Sequence, residues 1–133
     1  MRNIQSTVLF NWFEEVWNKN YENAIDEFMN EDAVFHGIET QDGARGTTGF
    51  KLFFRDFTSQ FHDVNIDVED VVCEDDMECA RTLITATHTE SNKPISFPGI
   101  CMARVGSGKI MEAWNSYDFL SLNLQLGQKL VPA

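Results

Sequence analysis

Positive charge is what this sequence has least of. Ten Lys and Arg stand against 21 Asp and Glu, a formal net charge of −11. A nucleic-acid-binding surface needs a basic footprint, and no Lys/Arg cluster occurs along the chain. An anionic membrane surface is disfavoured for the same reason. Cysteine is scarce too. Cys73, Cys79 and Cys101 make an odd number and show no C-x-x-C spacing. Two of them fall in expected strands, where a free thiol acts as a small hydrophobe. The expectation is a reducing, cytoplasmic compartment. No apolar run approaches the roughly 20 residues that span a bilayer. The opening "MRNIQSTVLFNWFEEVW" has a short apolar patch, but acids follow it and no small-residue cleavage site does, so it is not read as a signal peptide. There is no nucleotide-binding glycine pattern, no Ser or Cys nucleophile constellation, no repeat and no long linker. "GSG" at 106–108 lacks the strand-to-helix setting of a nucleophile elbow and reads as a turn.

What is present is bulky apolar material. At 133 residues the chain is read as one domain, 1–133, and 43% of it is hydrophobic. Eleven of its aromatics are Phe, which fill a core without asking for hydrogen bonds. With the acidity, this suits a neutral ligand or one held by apolar contacts.

The periodicity places the elements. "STVLFNWFEEVWNKN" predicts a helix capped by Ser6, with Phe10, Phe13 and Trp17 on one face. "NYENAIDEFMNED" predicts a second, with Ala24, Ile25, Phe28 and Met29 on its apolar side. "AVFHGI" is a short strand, and "ETQDGARG" a loop. "TTGFKLFFRDFTSQF" predicts a third helix with a stripe of Phe50, Phe53, Phe54, Phe57 and Phe61. That stripe is either core or, in part, the wall of a cavity. The period then changes to two through "HDVNIDVEDVVCED", "MECARTLITATHTE" and "ISFPGICMARV", the last two joined by a turn at "SNKP". A Gly-rich hairpin turn, "VGSGKI", leads into the strand of "GKIMEAWNSYDFLSLNLQLG", which passes into a short helix through Phe119, Leu122 and Leu126. Helices first and strands after predict α+β, with helices packed over the concave face of a curved antiparallel sheet. Where they leave that cone unfilled, a pocket results.

The ordered strings "VWNKNYENAIDEFMNEDAVFHG", "GFKLFFRDFTSQFHDVNIDVEDVV", "ARTLITATHTE" and "VGSGKIMEAWNSYDFLSLNLQLG" resemble the cone-shaped superfamily of nuclear transport factor 2. Within it they are most similar to the polyketide-cyclase-like (SnoaL-like) branch. The resemblance implies an Asp near the end of the last strand as general acid/base on a polycyclic ketone ester, and Asp118 matches that position. It also matches Trp114 to an aromatic before that Asp, and His36 to a His at the end of the first strand. The chain departs from the branch in a short connection, "TESNKPIS", and in "FHD" (Phe61, His62, Asp63) where cyclases carry "FPD". The superfamily also holds isomerases, epoxide hydrolases and members of no known activity, so the fold alone does not assign a function.

On a regular strand Trp114 and Asp118 share a face, and an apolar wall raises a carboxyl pKa toward the range a general acid needs. Equally, Asp before "FLS" is a helix N-cap, which keeps the carboxylate charged. A slip of one residue in register would turn Asn115 and Tyr117 inward instead. His36 is expected to polarise a carbonyl or orient a water, or else to be a strand-end residue. His62 and His88 read as surface residues, and three distant histidines make no metal site. Arg81 calls for a cross-strand carboxylate, with Glu112 in reach.

The resulting expectation is a cofactor-independent cyclase or isomerase, with Asp118 as acid/base and His36 assisting. Phe13, Trp17, Phe53, Phe57 and Trp114 form the walls around an apolar, polar-tipped small molecule. A homodimer joined through the outer sheet faces is expected, with no nucleic-acid or membrane partner. The alternatives are a non-catalytic ligand-binding domain and a protein-interaction module.

Overall fold

Thr7 opens the first helix, accepting the Phe10 amide on its hydroxyl at 3.2 Å in place of the expected Ser6. In the computed structural model, which describes residues 3–38 and 45–132, α1 spans Val8–Trp12 and continues as a π-helical segment, Phe13–Asn18. The amides of Val8 and Leu9 donate to the buried carboxylate of Glu78, at 3.1 and 2.8 Å. An acid at a helix N-terminus satisfies otherwise orphaned donors and faces the positive end of the helix dipole.

The second helix, α2, is shorter than its pattern predicts. It covers Ala24–Phe28, and the chain is already a strand, β1, over Met29–His36. Met29 pairs with Ile110 and is fully buried. The third helix, α3, runs Gly46–Gln60, and Phe61 begins β2, Phe61–Glu74. Then come β3 (Met77–His88), β4 (Lys93–Gly106), β5 (Lys109–Tyr117) and α4 (Phe119–Gln125). The β3–β4 turn falls on residues 89–92, two residues earlier than expected, because Lys93 and Pro94 already pair with His88 and Thr87. The β4–β5 hairpin turns on Ser107 and Gly108, both at positive φ, the conformation tight hairpins require.

The strands form one sheet in the order β1-β5-β4-β3-β2, with only β1–β5 parallel. This is the expected α+β architecture, a curved sheet with helices packed on one face. Strict alternation in β3 and β4 points Ala80, Thr82, Ile84 and Ala86, and Ile95, Phe97, Cys101 and Ala103, toward the helices. Trp17 ties the first helix to α3, its ring 4.9 Å from that of Phe54 and 5.6 Å from that of Phe57. Each such aromatic pair adds about 1 kcal/mol beyond its buried area.

The alternation breaks in β5. Arg104 pairs with Glu112, but the next residue, Val105, pairs with Ile110, so Met111 is an extra residue in the ladder. A bulge of this kind reverses the parity of everything beyond it. Ile110 faces the core; after the bulge so do Ala113, Asn115 and Tyr117, while Glu112, Trp114 and Ser116 face outward. Arg81 also departs from expectation. β4 lies between its strand and β5, so Glu112 is out of reach. Arg81 Nε donates instead to Asp70 at 3.0 Å, with Glu69 at 3.3 Å, across the β2–β3 ladder.

Candidate functional site

Between the helices and the sheet lies a narrow cavity. Its volume is about 50 Å³, so a ligand of two or more rings enters only as the aromatic walls part.

The walls are mostly aromatic. Phe50, Phe53 and Phe57 come from one face of α3, and Trp12 and Trp17 from the first helix. Residues five apart on an α-helix diverge by about 140° around the axis. The π segment, with its i→i+5 repeat, brings both tryptophans to the same side. The α-helical period used for the expectation therefore missed Trp12; a Trp pair at five-residue spacing was the available signal. The sheet contributes Ile84, Phe97, Cys101 and Ala113. Burial pushes the Cys101 thiol up to about 12, with smaller contributions from Cys79 and Glu78, so it stays protonated.

One end of the wall is polar. Asn115 and Tyr117 bring the only side-chain oxygens among the described lining residues. The Asn115 amide is fixed by donating to the His36 carbonyl at 3.0 Å. Tyr117 donates to Asn115 Oδ1 over a long 3.4 Å, a weak bond that leaves the hydroxyl free to turn to a better acceptor. Burial, and then Cys101, hold the phenol well above its ordinary pKa, so it remains a neutral donor. Its ring lies over Gly99, where an added Cβ would meet ring carbon Cδ1 at 2.0 Å. No carboxylate or histidine lines the cavity among the described residues.

Of the expected walls, Trp17, Phe53 and Phe57 line this cavity. Phe13 is fully buried in the core beside it. Trp114 is on the opposite face of β5, stacked on His36 with ring centroids 5.5 Å apart. His36 Nε2 lies 2.8 Å from Glu112 Oε2 there, with His36 about half exposed. The register thus brings His36 and Trp114 together but away from the cavity. Asp118 is exposed and caps α4, its Oδ1 accepting the Ser121 amide at 2.9 Å. Asn115 and Tyr117 occupy the inward positions that a regular strand would have given Trp114 and Asp118. No group of His, Cys, Asp and Glu among the described residues is arranged to hold a metal ion.

The fold has close relatives among solved structures. A protein described as a candidate polyketide cyclase from Bacillus cereus is 28% identical, with a TM-score of 0.80 over 90% of this chain and 78% of its own. IdmH, a candidate polyketide cyclase from Streptomyces antibioticus, is 24% identical and superposes with a TM-score of 0.80 over 95% of this chain and all of its own. AclR from Streptomyces galilaeus, described as a candidate hydroxylase, has the same fold at 20% identity, with a TM-score of 0.77 over 94% of this chain and 86% of its own. No curated protein sequence matches this one. The model of SnoaL-like polyketide cyclases matches residues 7–126, nearly the whole chain, and the protein belongs to that family.

Proposed function

We propose that the protein takes a flat, apolar carbonyl compound into its cavity and polarises the carbonyl oxygen with Tyr117, as a cofactor-independent protein of the cyclase type. The observation that carries this reading is the convergence of Asn115 and Tyr117 at one end of an otherwise apolar slot. A neutral phenol is a suitable donor to a carbonyl oxygen; this bond orients the ligand and polarises its carbonyl without itself moving a proton, since no carboxylate or histidine lines the cavity among the described residues. Asp118 was expected to move the proton. Its side chain is exposed and outside the described cavity lining, and its Oδ1 accepts the Ser121 amide, so the cap is its better-supported role. His36, paired with Glu112 on the outer face, is assigned to the surface and not to the cavity.

Asp118→Asn separates the two roles, because Asn caps a helix as well as Asp does. The expected result is unchanged folding and unchanged binding of 2-acetylnaphthalene. Loss of turnover with folding intact would return the acid/base role to Asp118. Binding of 2-acetylnaphthalene, followed by quenching of Trp12 and Trp17, should weaken about three- to tenfold in Tyr117→Phe, the worth of one hydrogen bond. Equal affinity in both proteins would sink the role of Tyr117.

For the partner we infer a second copy of the chain. His36, Trp114, Met102, Cys79 and Val72 pair strand by strand into one apolar row across the outer face. Glu112 and Arg104 flank it on one side, Arg81 and Asp70 on the other, so charges of both signs rim the patch. Val72 is 70% exposed and Met102 39%, which a free surface does not favour. Met102→Asp should halve the mass seen by light scattering; an unchanged mass would rule this face out. The three free thiols fit a reducing, cytoplasmic setting. No helix among the described residues is long and apolar enough to cross a membrane.

A further inference from the structure

Outside the cavity, at the open edge between α3 and α4, is a second depression of about 710 Å³. It is not independent of the first. Phe57 and Phe119 line both spaces, so the two adjoin. Its character is different. The floor is aromatic: Phe57 and Phe61 stack with centroids 4.7 Å apart, and His88 continues the shelf 5.4 Å from Phe61. The rim carries the side-chain amides of Gln60, Asn123 and Gln128 and the hydroxyl of Ser91. Among the described residues, Glu90 is its one acid, and no Lys or Arg lines it.

The groove is held in shape from two sides. Gln125 clamps α4 to β4, accepting the Ser96 amide at 3.0 Å and donating to the Ser96 carbonyl at 2.7 Å. His88 Nδ1 lies 2.8 Å from Ser91 Oγ and ties the β3–β4 turn to its strand. Phe119, Leu122 and Asn123 of α4 and its C-cap residue Leu126 recur at helical spacing, so one face of that helix serves the groove, with Phe119 shared with the cavity.

We propose that cavity and groove form one two-part site: the flat rings of the ligand lie in the cavity, and an uncharged, hydroxyl-rich appendage of sugar or polyol type lies in the groove. This rests on the cavity reading above. The C–H face of a sugar ring packs on an aromatic shelf, while amides give donors and acceptors in pairs to its hydroxyls. An anionic appendage would meet Glu90 and the field of a chain of net charge −11, with no cation in the groove to offset them. The shared rings set the order of the ligand, rings first and appendage outermost.

The test uses two probes with one chromophore, 6-acetyl-2-naphthol and its β-D-glucoside. Their affinities are measured calorimetrically on the full chain and on a Gln60→Ala/Asn123→Ala double variant, whose substitutions are both at exposed positions. The glucoside should bind about tenfold more tightly than the free naphthol. The double variant should lose that advantage and bind the free naphthol as before. If the naphthol binds and the glucoside binds no better, the groove assignment is overturned and the cavity reading stands. If neither probe binds, both are overturned. Loss of naphthol affinity in the double variant would also refute the division of the site, since those amides would then act on the cavity.

Discussion

On the inner face of β5, Asn115 and Tyr117 form a polar pair walled by aromatic rings, and the phenol is held neutral. On its outer face, two residues of the same strand, Glu112 and Trp114, also meet a partner, His36, but in a half-exposed setting. Each face has one large aromatic side chain and one hydrogen-bonding neighbour. What separates them is surroundings. A donor in the cavity works at low dielectric, where one hydrogen bond counts for more, while the outer His36–Glu112 contact competes with water. The single extra residue at Met111 decides which set goes where.

The most direct test of the comparison is to remove that residue. Deleting Met111 lets Glu112 follow Ile110 directly, opposite Arg104 and Val105, so the ladder becomes regular with Asn115 and Tyr117 still inward and Trp114 still outward. The deletion variant should keep a cooperative denaturant transition and still bind 2-acetylnaphthalene. Loss of that binding in a folded deletion variant would show that Met111 is not merely the extra residue of the ladder.

Alkaline pH tests the inner face. Cys101 and Tyr117 both have folded-state pKa values raised by burial, so the folded chain holds these protons more tightly than the unfolded chain does. Their contribution is complete below their ordinary pKa values of 9.0 and 10.0 and is lost as pH rises toward the folded values, about 12 for Cys101. Stability should fall above pH 9 by up to about 1.4 kcal/mol per unit for each group titrating. In Cys101→Ala the decline should begin about one unit later, whereas Trp114→Phe on the outer face should leave the slope unchanged. An identical pH profile in Cys101→Ala would contradict the inner assignment.

Smaller effects sharpen the picture. Gly99→Ala places a methyl 2.0 Å from the Tyr117 ring. The displacement should cost about 1–3 kcal/mol in chemical denaturation. The same variant should weaken 2-acetylnaphthalene binding, because the donor moves. Trp114→Ala should cost about 1 kcal/mol through the lost stack on His36 and leave that binding untouched. If Trp114→Ala weakened binding as much as Gly99→Ala, the two faces would not be functionally separate.

Much of this molecule was legible beforehand because its signals are local. The Phe stripe of α3 follows a 3.6-residue period, and the strands from Phe61 onward follow a period of two. Ser107–Gly108 is a turn by its own backbone preferences, and Asp118 is a cap by its place before an apolar helical run. Three of the cavity's aromatic walls, Trp17, Phe53 and Phe57, came from the same patterns. Trp12 did not, because a π turn is a departure from period that composition does not announce. The α2–β1 boundary did not, because Met29 satisfies a helical stripe and a buried strand equally well.

The sequence by itself determined the element types, their order, the apolar interior, the acidic surface and the family. The tertiary structure alone decided which side of β5 looks inward, which acid meets Arg81, and that a tyrosine and an asparagine stand at the polar end of the cavity. The reason is that a bulge is a property of a pair of strands. Val105 and Ile110 settle opposite each other only when the β4–β5 ladder forms, and every side chain beyond Met111 takes its face from that event.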